Sequence, residues 1–489
     1  MPPTFDILIT GGTIIDGTGQ PGRPGDIAVR DGRIIGVGEI EGAAGKTIDA
    51  SGLAVSPGFI DVHAHDDGAV MATPMDFKLM QGVTTDIVGN CGAGIAPSPG
   101  GRQVPGSQLI LGEVPEGGFD TFGAFMDAVE KANPAVNVAC FVPHGAVRNA
   151  VIGMDARAPD DAELARMGDY IEEGLAAGAV GFSTGLIYPP GTFAQTEEII
   201  ELAKIAARHG APYVSHIRNE AETLMEAVEE AVRIGREGGT AVQISHHKAA
   251  VKSVWGKTEQ TLAYLDEQRG AGLDITVDVY PYTAGSTVLA AAARVGREID
   301  TDEIMVASCT NRHEWEGKTL TKIAEMLNIP GDQVTNHILL EEPMAVAVFF
   351  SMHEADVRRV ISYPHCMIGS DGIPSPTGKP HPRLYGTFPR VIERYVREEN
   401  LLTLEEAVRK MTSLPARRFG LAQRGELREG WAADMVIFDP ETIADIATYQ
   451  EPRQYPAGIS HVIINGVIAA ESGRQVQEHS GQLLRSGVA

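Results

Sequence analysis

His63, His65, Cys91, His216, His246 and Asp371 are the side chains whose types and placement could hold a metal ion and move a proton. Imidazole nitrogens, a thiolate and carboxylates are the donors that gather around a divalent cation. The first pair sits in Gly58-Phe59-Ile60-Asp61-Val62-His63-Ala64-His65. Pro57-Gly58 stops the preceding segment, and Phe59, Ile60 and Val62 supply the apolar residues of a buried strand. Side chains two apart on a strand share a face, so both imidazoles project together from its C-terminal end. An isolated HxH is equally well read as two unrelated polar residues at a strand end. The positions of the other donors therefore decide the matter.

Those positions follow from the elements that carry them. Residues 5–55 read as short strands broken by Gly-rich turns, with Asp31-Gly32 as a hairpin signal. From residue 59 apolar strands alternate with helical segments, at 59–62, 85–88, 136–142, 179–183, 212–215, 241–245, 275–279 and 366–369. Helices are expected between them at 160–177, 196–209 and 220–236, the last with an acidic first turn and a basic end that suit the helix dipole. Eight such units predict an α/β fold, a (β/α)8 TIM-type barrel with insertions; a doubly wound sheet is the alternative. The connection at about 284–360 is too long for an ordinary loop and is read as an insertion capping the active-site mouth, or else as a surface excursion. After residue 410 short β segments with Gly turns return. The simplest arrangement is one small β-sandwich-like domain from residues 1–58 and 412–489, with the barrel over 59–411.

On that strand order, His63 and His65 end strand 1 and Cys91 follows strand 2 in Gly89-Asn90-Cys91-Gly92. His216 ends strand 5 in Ser215-His216-Ile217-Arg218, His246 stands in Ser245-His246-His247-Lys248 after strand 6, and Asp371 stands in Gly369-Ser370-Asp371-Gly372 after strand 8. Barrel enzymes place their chemistry on the C-terminal face of the strands, so residues 300 positions apart converge there.

Composition limits the partners. Asp and Glu outnumber Lys and Arg by 65 to 40, a formal charge of −25, which argues against nucleic acid or an anionic membrane surface. An anionic substrate would need a local basic pocket. The first residues show no signal-peptide pattern, and no apolar run of about 18 residues occurs. Four cysteines (Cys91, Cys140, Cys309, Cys366) without a CxxC pair fit a reducing cytoplasm.

The HAH after a GFID strand, the later single histidines, the strand-8 aspartate and the split β domain resemble the amidohydrolase superfamily. The segments GNCG, GFSTGL, SHIRNE, SHHK, YPYTAGST, GSDG and HPRLYGTFPR are similar to its D-aminoacylase (N-acyl-D-amino-acid deacylase) branch. The resemblance implies a zinc-dependent hydrolase of small-molecule N-acyl-D-amino acids. By it, Cys91, His216 and His246 hold a tight Zn2+, and His63 and His65, with Cys91 as bridge, form a second, weaker site. Asp371 is then the general base and later the general acid. Lys248, Tyr280 and Arg383 anchor the substrate carboxylate, with Tyr282 as the same-face alternative to Tyr280. The alternation of a strand admits one of His246 and His247 to the site, and the family pattern selects His246. Tyr188, Ser183 and His144 stand on other C-terminal loops, where packing roles are equally open. Arg294 could meet a second carboxylate, favouring acyl-D-glutamate or aspartate, or else lie on the surface; the other reading is a pocket for apolar D-residues. Many superfamily members bridge two metals with a carboxylated lysine on strand 4. Here Val180-Gly181-Phe182-Ser183-Thr184-Gly185 has no lysine, which counts against the alternative function, a cyclic-amide hydrolase of the dihydropyrimidinase or dihydroorotase type.

Overall fold

The computed structural model describes residues 4–111, 117–294, 300–375 and 377–487. Eight strands alternate with helices: β1 (Phe59–Asp61), β2 (Val83–Val88), β3 (Asn137–Pro143), β4 (Gly181–Gly185), β5 (Tyr213–His216), β6 (Val242–Ile244), β7 (Ile275–Val279) and β8 (Cys366–Ile368). They pair in parallel and in chain order. A doubly wound sheet would reverse its strand order partway, and this one does not. The ends meet where Ala64 bridges Gly372 and the Asp371 N–H donates to His63 O at 2.7 Å, completing the (β/α)8 barrel.

Two-faced burial explains these sequences. Along β3, Ala139 and Phe141 point inward beside Ile60, Ile87, Val180, Val214 and Met367, while Val138, Cys140 and Val142 face the helices. A parallel strand covered on both faces needs apolar residues at every position. Each fully buried aliphatic or aromatic side chain contributes roughly 1.5–3 kcal/mol. Ala416, Phe419 and Leu421 join the inward cluster.

The outer helices Asp161–Ala176 and Thr196–Arg208 lie close to the expected ranges. The third begins at Leu224 rather than residue 220 and runs to Gly238, burying Leu224, Ala227, Val228, Ala231 and Val232 on one stripe. Glu220 is thus outside the helix and buried.

Strands from both chain ends share one nine-stranded sheet. Met435–Phe438 pairs antiparallel with Ala54–Pro57, the segment just before β1. Phe5–Ile14 changes partner midway, from Ala44–Asp49 to Ala54–Pro57, and the sheet encloses its own apolar cluster, including Ile7, Ile9, Ile14, Ile27, Val29 and Met435. The connection after β7 holds a three-stranded sheet (Gly285–Val288, Ile304–Ser308, Val346–Phe349) and the helices Leu320–Leu327 and Gly331–Glu341, with a separate core around Trp315.

Candidate active site

Apart from His216, the last residue of β5, the candidate donors lie just past the ends of their strands. His63 and His65 lie past the end of β1, His246 two residues past β6 and Asp371 three past β8. Cys91, His246 and Asp371 take positive φ values of 55°, 35° and 50°. Non-glycine residues are rare there and cost of order 1–3 kcal/mol each, so the surrounding contacts must hold them. Cys91 is held by its turn: the Gly92 N–H donates to Ser183 Oγ at 3.2 Å, and the Ser183 hydroxyl donates to Gly89 O. Gly185 is required beside it, because a Cβ there would lie 2.0 Å from Cys91 O.

Cys91 Sγ is the hub. It lies 3.2 Å from His63 Nε2, 3.5 Å from His216 Nδ1 and 3.5 Å from His246 Nε2, all buried. A tetrahedral zinc with sulfur at about 2.3 Å and nitrogen at about 2.05 Å would set sulfur and nitrogen about 3.6 Å apart. Each of these spacings suits such an ion, and Cys91 with His63 and His246 forms one close group of donors. Burial alone would raise the Cys91 thiol, yet the His63 and His246 imidazoles hold it well below its ordinary value, as a thiolate ligand requires. A second group brings His63, His65 and Asp371 together, with His65 Nε2 3.2 Å and His63 Nε2 3.6 Å from Asp371 Oδ1. A third combines His216, Glu220 and His246.

Asp371 turns its other oxygen to Arg383, at 2.9 Å. Burial alone would raise its carboxyl, but Arg383, then His246 and His63, hold it well below the usual range. Arg383 is itself buried. It also donates to Ser286 O at 3.0 Å and lies over the Tyr280 ring at 4.5 Å.

A cavity of about 340 Å³ opens over this centre. His65, Cys91, His216, His246 and Asp371 form its floor, Lys248 and Tyr280 one side, and Ile110, Leu111, Tyr188, Met344, Phe349 and Met352 much of the rest. Tyr280 faces this space, whereas Tyr282 turns away and donates to Asp445 at 2.8 Å. Tyr188 also lines it, its hydroxyl 3.0 Å from Thr287 Oγ1. Two expected substrate contacts are placed differently. Ser183 lies beneath the Cys91 turn, outside the lining, and Arg383 reaches Asp371 from behind the cavity wall. Arg294 ends the helix Leu289–Arg294, and its side chain lies outside the described residues. His247 points away and bonds Thr261 Oγ1 at 2.7 Å, and His144 bonds Glu198 at 2.9 Å.

Sequence reasoning missed two carboxylates. Asp278 of β7 accepts from the His246 N–H at 2.8 Å and lies 3.2 Å from His63 Nδ1. A lone acid in the otherwise uncharged, β-branched Ile275–Val279 was the signal. Glu220 Oε1 lies 2.9 Å from His246 Nδ1 and 2.5 Å from Lys248 Nζ; its place in SHIRNE was the signal, but it read as a helix start.

The family model described as "Amidohydrolase family" matches residues 46–470. A D-aminoacylase of Alcaligenes xylosoxydans xylosoxydans is 42% identical, over 98% of this chain and 97% of its own. An N-acyl-D-glutamate deacylase of the same organism is also 42% identical, over 95% and 94%. The solved N-acyl-D-glutamate deacylase from Bordetella bronchiseptica, complexed with zinc and a phosphonate mimic of the tetrahedral intermediate, superposes with a TM-score of 0.92 at 43% identity, covering 99% of this chain and all of that one. A D-hydantoinase structure, at TM-score 0.62 and 16% identity, shares the fold alone. With a lysine-free strand 4 and a cysteine at the centre of its donors, this chain belongs to the amidohydrolase family and, within it, to the D-aminoacylase branch.

Proposed function

We propose that the protein is a zinc-dependent deacylase that hydrolyses the amide of N-acyl-D-amino acids to a carboxylate and the free D-amino acid. The observation that carries this reading is three imidazole nitrogens within 3.5 Å of one buried thiolate, with Asp371 beside them on the floor of one cavity. Cys91, His216 and His246 would hold the tight ion, and His63 and His65, with Cys91 between, a weaker second one. Zinc supplies Lewis acidity there, making water a competent nucleophile near neutral pH and polarising the amide carbonyl.

The chain's own residues do the rest. Asp371, charged at neutral pH, accepts the proton of the attacking water at a carboxylate oxygen and returns it to the leaving nitrogen. Lys248 and the Tyr280 hydroxyl receive the substrate carboxylate at one side of the cavity. Arg383, behind the cavity wall and paired with Asp371, keeps that carboxylate charged and oriented for the proton transfers. The apolar walls exclude water from the developing charge. Tyr188 flanks the acyl or side-chain space.

We read residues 1–58 and 412–489 as one β domain and 59–411 as the barrel domain, with 284–360 as an insertion at the mouth. The shared nine-stranded sheet and the cavity positions of Met344, Phe349 and Met352 support that division. A cytoplasmic setting accords with four unpaired, buried cysteines. Among the described residues no helix is long and apolar enough to cross a membrane.

The test is a paired library of N-acetyl D- and L-amino acids with zinc-loaded enzyme. Turnover confined to D-enantiomers is expected. Turnover of L-enantiomers alone, or of hydantoins but not N-acyl-D-amino acids, overturns the assignment.

A further inference from the structure

We propose that Glu220 is a positioning residue that selects the tautomer of His246, and that without it Lys248 imposes the tautomer that cannot bind metal. The inference rests on the zinc reading of the site. Three groups meet behind the His246 ring: Glu220 Oε1 lies 2.9 Å from Nδ1, Lys248 Nζ lies 2.8 Å from the same Nδ1, and the two charged groups are 2.5 Å apart. The ring's other nitrogen, Nε2, faces Cys91 Sγ at 3.5 Å.

A neutral imidazole has one N–H and one lone pair. Should Nδ1 accept from the Lys248 ammonium, which can only donate, the ring proton must sit on Nε2 and close the nitrogen aimed at the other donors. Should Nδ1–H donate to Glu220, Nε2 keeps its lone pair for a metal. The lysine and the carboxylate therefore demand opposite tautomers. Glu220 prevails because one oxygen can accept from both neighbours at once, taking the His246 proton while drawing the Lys248 donors onto itself. The same contact parks Lys248 beside the Tyr280 ring, 5.5 Å from its centroid, at the cavity side where an anion would arrive. One acid thus serves a metal ligand and an anion-binding cation that have conflicting needs.

The experiment measures zinc affinity by chelator competition for wild type, Glu220→Leu, Lys248→Met and the double variant. Outer hydrogen-bond partners of metal-bound histidines typically contribute 10–100-fold in affinity, so Glu220→Leu should weaken zinc by roughly that factor. Lys248→Met should bind zinc much as wild type does. The double variant should recover most of the loss, because the competing donor is gone. Undiminished zinc affinity in Glu220→Leu, or a double variant no better than the single one, would each overturn the proposal. A wild type that takes up no zinc would instead remove the reading of the site on which it rests.

Discussion

The Asp371 carboxylate gives one oxygen to His65 at 3.2 Å and the other to Arg383 at 2.9 Å, and its backbone N–H is tied to His63 O at 2.7 Å. A side chain so constrained has little freedom to swing, which suits a group that must meet a proton on one side of a reaction and deliver it on the other. Its contacts also separate two roles that a deletion could confuse. Asp371 is not among the partners of the Cys91 thiolate, which is surrounded by His63, His216 and His246. Asp371→Asn should therefore keep the tight zinc, measured as one equivalent by metal analysis after dialysis, while kcat falls about 10²- to 10⁴-fold, the usual contribution of general acid–base catalysis. A variant that lost its zinc, or one as active as wild type, would place the residue elsewhere in the chemistry.

At the scale of the elements, the site depends on turns more than on strands. The eight strands were legible because two-faced burial writes an uninterrupted apolar run, and the donors were legible because they follow those runs. Their conformation was not. The alternation used for His63/His65 and for the choice between His246 and His247 presumes an extended chain, yet these residues lie past the last strand pairs, and His246 reaches the site through a left-handed backbone at φ 35°. His247 points away, as alternation would have it, but for a different reason. Glu220 was unreadable on the same ground: acids near a helix start normally face solvent and the dipole, and only the tertiary packing of Lys248 and His246 turns this one inward. The turn carrying Cys91 depends on Ser183, which accepts from the Gly92 N–H and donates to Gly89 O. Ser183→Ala leaves both backbone groups buried without that partner, which should lower stability by about 1–3 kcal/mol. Because these bonds hold a strained cysteine, zinc should also dissociate faster from this variant; an unchanged melting temperature together with unchanged zinc off-rate would refute the role.

The barrel closes at one seam, between β1 and β8, where among the described residues a single backbone bridge stands in place of a ladder and side chains reinforce it. Asp61 Oδ1 accepts from the Ser370 N–H at 2.8 Å and from the His63 N–H at 3.1 Å, joining the two strands directly under the donor cluster. Lys78, fully buried, lies 2.5 Å from Asp61 Oδ2, 2.9 Å from Asp66 and 3.2 Å from Asp86, and also bonds Ser370 Oγ at 3.1 Å. Burial would discharge this ammonium, but Asp61, Asp66 and Asp86 hold its pKa well above the ordinary lysine value, so it stays a cation. One positive charge thus sits among three acids in the interior of a chain whose formal charge is −25, and burial, with Asp66 and Asp61 beside it, still pushes the Asp86 carboxyl well above its ordinary range. Removing one partner of a buried ionic group leaves uncompensated charge and typically costs 3–5 kcal/mol. Lys78→Met should therefore shift the urea midpoint down by an amount corresponding to about that loss at neutral pH. The penalty comes from buried acids left without a counter-ion; Asp86, whose carboxyl is already pushed well above its ordinary range, sheds its charge as the pH falls, so the deficit should shrink and the variant's midpoint should approach that of wild type in acid. A deficit independent of pH would mean that Lys78 serves through its packing alone, and no deficit at all would mean that the seam is held by its backbone contacts.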